Sequence, residues 1–359
     1  MLISMAGVAL QRAAHSRSEW FAYVLSGLPG IGLVLLYLGG WISEPLALGL
    51  FALSFVGLNM MHMAATWSRV YLDGTAWRRS VLERVWIPAL LVVVSLVGEA
   101  VGFAAVLLSA QYFLSLHHAT MENYGIARFG ERKAGRTTPV LHTHLLKFAC
   151  ALLPLGALVW RVNQAGDFHG IGIFAPPLWL GFALMAGGGI SLLIVALLEL
   201  REGFRGRGIN WLGLSVVFIT NLSWTWLLLG VSHPLLPLYA LASGHYVQHL
   251  YFVGRFEGCR EAWSSVPARI REWVQPGVGF RYYFALFTLG GVVVTAATAT
   301  AYGARWLAGA AGVAPQSYVL PPWTAAMIGI NLSHYWLDHR IWRLSKREVA
   351  APLGLAGAR

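Results

Sequence analysis

Long apolar runs, separated by short polar or glycine- and proline-containing breaks, occupy the chain from residue 20 to residue 339. Most approach the ~20 residues that a helix needs to cross hydrocarbon. The pattern predicts ten spans: 20–41, 46–68, 86–98, 103–121, 139–160, 174–198, 211–230, 234–253, 282–303 and 321–339. The nearly unbroken run from Trp86 to Tyr124 divides at Gly98-Glu99-Ala100-Val101-Gly102, with one long helix or a re-entrant piece as the alternative. Ser232-His233-Pro234 marks a firmer break, because proline starts helices more readily than it continues them. Pro176-Pro177 and Pro321-Pro322 open spans in the same way. The expected fold is therefore all-α, a polytopic transmembrane helical bundle with both termini cytoplasmic. Residues 1–19 are expected to form an amphipathic arm, 20–342 the bundle and 343–359 a basic tail. Met1 to Arg17 has neither a basic leading segment nor a small-residue cleavage site, so it reads as an arm rather than a signal peptide.

Composition agrees with the pattern. Hydrophobic residues make up 57% of the 359 and charged residues only 11%, where a soluble domain carries about a quarter. The net charge of +11 lies in the loops between apolar runs, with no aromatic-basic surface module to read nucleic acid. With ten spans and a cytoplasmic amino terminus, 23 of the 26 Lys and Arg fall on cytoplasmic segments. Lys147 lies inside a span near its cytoplasmic end, and only Arg161 and Arg305 fall outside. That bias is the positive-inside signal. The two cysteines, Cys150 in an apolar run and Cys259 in a basic loop, suit neither a disulfide nor a thiolate metal site.

The histidines change the picture from a bundle to a site. Of twelve, nine (His62, His117, His118, His142, His144, His245, His249, His334 and His339) sit at or near the cytoplasmic end of a predicted span. His245 and His249 are four residues apart, which puts both rings on one helix face. His118 with Glu122, and His334 with Asp338, repeat the spacing. Bundles build metal sites from such pairs, completed by neighbouring helices. Gln111, Asn123, Tyr246, Gln248, Asn331 and Tyr335 are candidates to orient the ring nitrogens. The expected metal ligands are His62, His117, His118, His245, His249, His334, Asp338 and Glu122, with Glu122, Asp338 and Tyr335 as catalytic candidates.

Blander readings stand beside these. His62 is equally suited to hydrogen-bonded packing, and only one of His117 and His118 easily faces the bundle. At least one of His142 and His144 reads as interfacial, and His339 as solvated beside the basic tail. Glu122 could be an interfacial acid near Arg128, and Asp338 could pair with Arg340 or Arg343. The sixteen tryptophans fit an aromatic belt, and Gly187-Gly188-Gly189 fits close helix packing.

The order of these motifs, single-histidine helices followed by an HxxxH helix and a helix carrying His and Asp, resembles the His-rich integral membrane non-haem iron oxygenases. Within that class it is most similar to the Brp/Blh carotene dioxygenases. The matching positions are His62, His117 or His118, His245 with His249, and His334 with Asp338. The resemblance implies one or two non-haem iron ions and a polyene or other lipidic substrate. Dioxygen and a cytoplasmic electron donor are the expected partners, and a bacterial inner membrane the expected location. A haem-binding electron-transfer protein, a copper site and a histidine-relay transporter are the competing expectations.

Overall fold

The structure, a computed structural model, describes residues 17–54, 58–67, 70, 81–168, 171–233, 236–258, 322–344, 347–350, 353 and 355. Helix α1 (Arg17–Trp20) passes through a wide π turn (Phe21–Leu25) and bends by 41° into α2 (Leu28–Leu38). Then follow α3 (Glu44–Ser54), α4 (Met60–Trp67), α5 (Ile87–Ala100), α6 (Ala104–Lys133) and α7 (Val140–Ala165). A two-stranded antiparallel ribbon, Asp167–Phe168 with Ile171–Gly172, precedes α8 (Leu178–Phe204) and is the one departure from helix among the described elements. Helix α9 (Trp211–Ser215) continues through a second π turn (Val216–Thr220) into α10 (Asn221–Gly230). Helix α11 (Leu236–Gly258), α12 (Pro322–Ile341) and the short α13 (Arg347–Ala350) complete the described chain.

The architecture is all-α, and both expected breaks are present. Gly102, at φ +88°, lets the chain reverse between α5 and α6, a conformation that costs a side-chain-bearing residue most. The second break falls between α10 and α11. The count of ten spans is corrected. Among the described residues, only α7, α8 and the α9–α10 unit combine the length and hydropathy of a crossing helix, or four segments if the bent α1–α2 pair counts as one. The rest fail for two physical reasons. Helix α5 is only 14 residues long, while α6, α11 and α12 are long but interrupted by histidine, glutamine and carboxylate. The segment 282–303 lies outside the described residues.

Helices α7 and α8 pack against each other along their length. Contact is so close that a Cβ on Gly156 would lie 2.5 Å from the Gly181 carbonyl oxygen, and one on Gly188 would lie 2.5 Å from the Leu153 backbone nitrogen. Small residues at a crossing let two backbones touch and gain dispersion where lipid offers no hydrophobic drive. Gly188→Leu is therefore expected to destabilise the protein by about 1–3 kcal/mol or more, read as a lowered Tm in detergent. The opposite face of α8 exposes Trp179, Phe182, Ile190, Leu193 and Leu197, as a lipid-facing helix would.

Arg161, expected in an outer loop, instead lies inside α7, four residues before its end. It is buried and donates to the carbonyl oxygens of Leu228 and Leu229, which closes the otherwise unpaired end of α10. The described part of the C-terminal segment packs on the bundle, with Val349, Ala350, Leu353 and Leu355 joining Tyr23, Phe129, Leu212 and Phe256 in one apolar cluster. A second cluster, built on Val34, Phe51, Leu158, Leu228 and Leu236, lies further along the same helices. On α6 the first of these clusters holds Ile126 and Phe129 and the second Leu116 and Ala119; on α11 they hold Phe256 and Leu241. His245 and His249 of α11 and Glu122 of α6 fall between, and His118 lies beside Ala119 of the second cluster. Apolar packing on either side thus carries helices whose middle turns are polar.

Candidate metal centre

Four helices bring the polar turns together: α4 carries His62, α6 carries His118 and Glu122, α11 carries His245 and His249, and α12 carries His334 and Asp338. His62, His245, His249 and His334 are at most 3% exposed and Asp338 6%. The His62 ring lies 4.1, 4.4 and 4.8 Å, centroid to centroid, from those of His249, His334 and His245. Nε2 atoms of His62 and His334 approach to 2.6 Å. Two lone pairs that close repel unless a proton or a cation joins them. Asp338 Oδ2 is 3.4 Å from His334 Nε2 and 3.5 Å from His118 Nε2. His62, His118, His334 and Asp338 each present a ligand atom, all within 4.8 Å of one another.

A second set shares His118. Glu122 places Oε2 2.6 Å from His245 Nδ1 and Oε1 2.9 Å from His249 Nδ1. His118, Glu122 and His245 also meet within 4.8 Å. Seven atoms of the combined cluster are buried without a hydrogen-bond partner among the described residues: His62 Nδ1, His118 Nε2, Glu122 Oε2, His245 Nδ1, His249 Nε2, His334 Nδ1 and Asp338 Oδ2. Each such orphan costs about 1–3 kcal/mol. Converging, unpaired nitrogen and carboxylate atoms are what a transition metal with bonds of about 2.0–2.2 Å would gather.

Charge distinguishes this cluster from three other buried carboxylates. Glu19 pairs with Lys133 and Arg255, Glu131 with Arg128, and Glu199 with Arg136 in a two-point contact of 2.7 and 3.0 Å. Around Glu122 and Asp338, by contrast, only histidines lie within ion-pair distance among the described residues. Two desolvated carboxylates without Lys or Arg call for another cation.

The spacing rule extends further than the sequence pairs. Thr66, four residues after His62, donates its hydroxyl proton to Asp338 Oδ1 at 2.5 Å, and Trp342 Nε1–H, four after Asp338, donates to the same oxygen at 3.1 Å. Neither was picked out from the sequence, although the four-residue offset from a ligand was the available signal. With Oδ1 so occupied, Oδ2 is left aimed at the imidazoles. Thr66→Val is expected to weaken metal affinity about 10–100-fold, the usual range for a residue that orients a ligand, measured by competition with a chelating dye. Tyr335 does not point its hydroxyl into the cluster. That oxygen bonds Ser115 at 2.6 Å and Gln111 at 3.0 Å, while the ring stacks on His118 at 4.7 Å. Gln248, another orienting candidate, donates instead to the Tyr23 carbonyl.

His117 lies on the exposed face of α6, because consecutive helical residues diverge and His118 takes the inward direction. His144 and His339 are exposed as well. His142 is buried, 3.5 Å from Glu199, in a group with Glu131 that the sequence did not reveal. Since Arg128 and Arg136 already neutralise those two acids, the group reads as an ion-pair node tying α6, α7 and α8.

One narrow crevice reaches the centre. Its lining is mostly apolar or small, with Leu28, Ile31, Ile219, Ser223 and Trp224 among its residues, and includes His245 and Gln248. Leu28 and Ile219 are exposed, so the crevice opens sideways between α2, the π turn before α10, and α11. No protein-family model, curated protein or solved structure matches the chain. The chain is thus a helical protein with apolar helices and a buried histidine–carboxylate group able to hold a metal ion.

Proposed function

We propose that the chain is a membrane-embedded non-haem iron oxygenase or oxidase that hydroxylates, desaturates or oxidatively cleaves a lipidic or polyene substrate. The observation that carries this reading is a buried carboxylate, Asp338, and a half-buried one, Glu122, whose ion-pair neighbours among the described residues are imidazoles alone. Imidazole with carboxylate suits iron, and copper is the nearest competitor. Haem fits poorly: the 2.6 Å between His62 and His334 Nε2 leaves no width for a porphyrin between facing rings. A proton relay needs a chain of single groups, whereas these side chains crowd around common points.

Iron bound by these side chains would supply dioxygen activation. The protein's own part is to hold the ligands, exclude water and orient the substrate. Glu122 and Asp338 ligate, and Tyr335 acts as a positioning residue through its stacking on His118. An apolar substrate would be drawn from the bilayer, where dioxygen also concentrates. The motif-order resemblance to the Brp/Blh type points the same way. The location that completes this reading is a bacterial inner membrane, with the centre toward the cytoplasm, where an electron donor can reach it.

The test is mass spectrometry of lipid extracts from membranes containing the protein, incubated under isotopically labelled dioxygen. The expected result is label incorporation or loss of hydrogen from a lipid species that depends on His118. Identical lipid profiles from iron-loaded protein and from His118→Ala would overturn the proposal.

A further inference from the structure

We propose that a cationic patch outside the metal centre, formed by His117, Lys147, His339 and Arg343, binds the phosphate of an anionic phospholipid. This rests on the membrane-embedded part of the proposed function and not on its iron chemistry. His118 and Asp338, whose side chains approach to 3.5 Å, mark the level at which α6 and α12 lie side by side. The two helices run in the same direction: Leu107 and Leu108 meet Ile328 and Leu332, and further along Ser115 and His118 meet Tyr335. Successive helical residues turn by about 100°, so the residue before His118 and the residue after Asp338 leave the pair on the same side. Those residues are His117 and His339, and both are exposed.

Lys147 of α7 and Arg343, just past the end of α12, complete the patch. His339 is within electrostatic range of Lys147, Arg343 and His117, and His117 within range of Lys147. Lys147 and Arg343 are exposed, and neither has a carboxylate partner among the described residues. Arg343 Nε donates to the His339 carbonyl at 3.0 Å, which ties the guanidinium to that turn. Arg340 stands apart, engaged by Glu83 at 3.4 Å and by the Trp336 ring. Converging cations without an acid repel one another and call for an anion, and ammonium, guanidinium and imidazole N–H groups all donate to phosphate. Apolar surface adjoins the charge: Leu114, one turn before His117, is 45% exposed, and Phe148, next to Lys147, is 47% exposed. A phospholipid covers both parts, its phosphate on the cations and its acyl chain on the apolar side chains. Phosphatidylglycerol fits because phosphate is its one charge, whereas phosphatidylcholine would bring a cation to a cationic patch.

The experiment is native mass spectrometry of the full-length protein in detergent, titrated with dioleoyl phosphatidylglycerol or dioleoyl phosphatidylcholine, with metal content measured on the same samples. Wild-type protein is expected to bind phosphatidylglycerol at least about fivefold more tightly. Lys147→Gln combined with Arg343→Gln is expected to lose about fivefold for each cation removed, with metal content unchanged. The wild-type comparison stands by itself should the variant fail to fold. Equal affinity for the two lipids, or a preference that survives the double substitution, overturns the site while leaving the metal centre standing. Inorganic phosphate that displaces phosphatidylglycerol at equal concentration assigns the patch to free phosphate and overturns the lipid.

Discussion

His118→Ala is expected to reduce metal affinity more than any other single change, by at least about 100-fold, beyond the 10–100-fold typical of residues that only orient ligands. His118 contributes a ligand atom to both sets of converging side chains, so its loss opens each of them. The neighbouring substitution, His117→Ala, is expected to leave metal content unchanged, because that ring lies on the exposed face of the same helix. The two variants have the same composition change one residue apart and differ only in helix face. Neither should unfold the bundle, since Leu116, Ala119, Ile126 and Phe129 keep α6 anchored in the two apolar clusters. Metal analysis of both variants, purified side by side, makes the comparison. Equal loss in the two, or equal retention, would count against the site.

Metal removal is expected to produce the second large effect. Ligand binding to the folded state alone stabilises it by about 4 kcal/mol when free ligand stands at 1,000 times Kd. Here the ion also screens Glu122 and Asp338, which have no Lys or Arg partner among the described residues, so chelation leaves poorly compensated charge. A chelator is therefore expected to lower Tm by on the order of 10 °C, given roughly 2–4 °C per kcal/mol for chains of 150–250 residues, and re-addition of metal should restore it. In Glu122→Gln, which keeps the shape and removes the charge, the chelator-induced drop should shrink. Differential scanning fluorimetry in detergent reads both. A Tm indifferent to chelator would mean that the cluster is held by protons and packing alone.

Much of the site was legible because helical spacing is a strict geometric rule. His245 with His249, His118 with Glu122 and His334 with Asp338 must share a face wherever the helix forms, and the structure directs all three faces to one place. The rule could not say which way that face turns, so His117 and His118 stayed equivalent until the bundle fixed the rotation of α6. It also gave no hint of Glu131 or Glu199, whose meeting with His142 depends on how the ends of α6, α7 and α8 are brought together. Arg161 misled for a related reason. A cation at a span end reads as a loop charge, yet here it is buried to satisfy the carbonyls of α10.

The span count failed where composition and function compete. Helices that carry a metal centre must place imidazole and carboxylate in their middle turns, which removes the hydropathy by which a crossing helix is recognised. Positive-inside counting compensated by assuming every apolar run crosses. Turn chemistry was more dependable: the glycine at 102 and the break before α11 act locally and do not depend on the rest of the fold.

X-ray absorption at the iron K edge, on protein purified without a metal-chelating tag, tests the central claim most directly. The account predicts an iron edge with a first shell of nitrogen and oxygen at about 2.0–2.2 Å and outer-shell scattering from several imidazoles. Folded protein with no iron edge, or with the in-plane signature of a porphyrin, would contradict it.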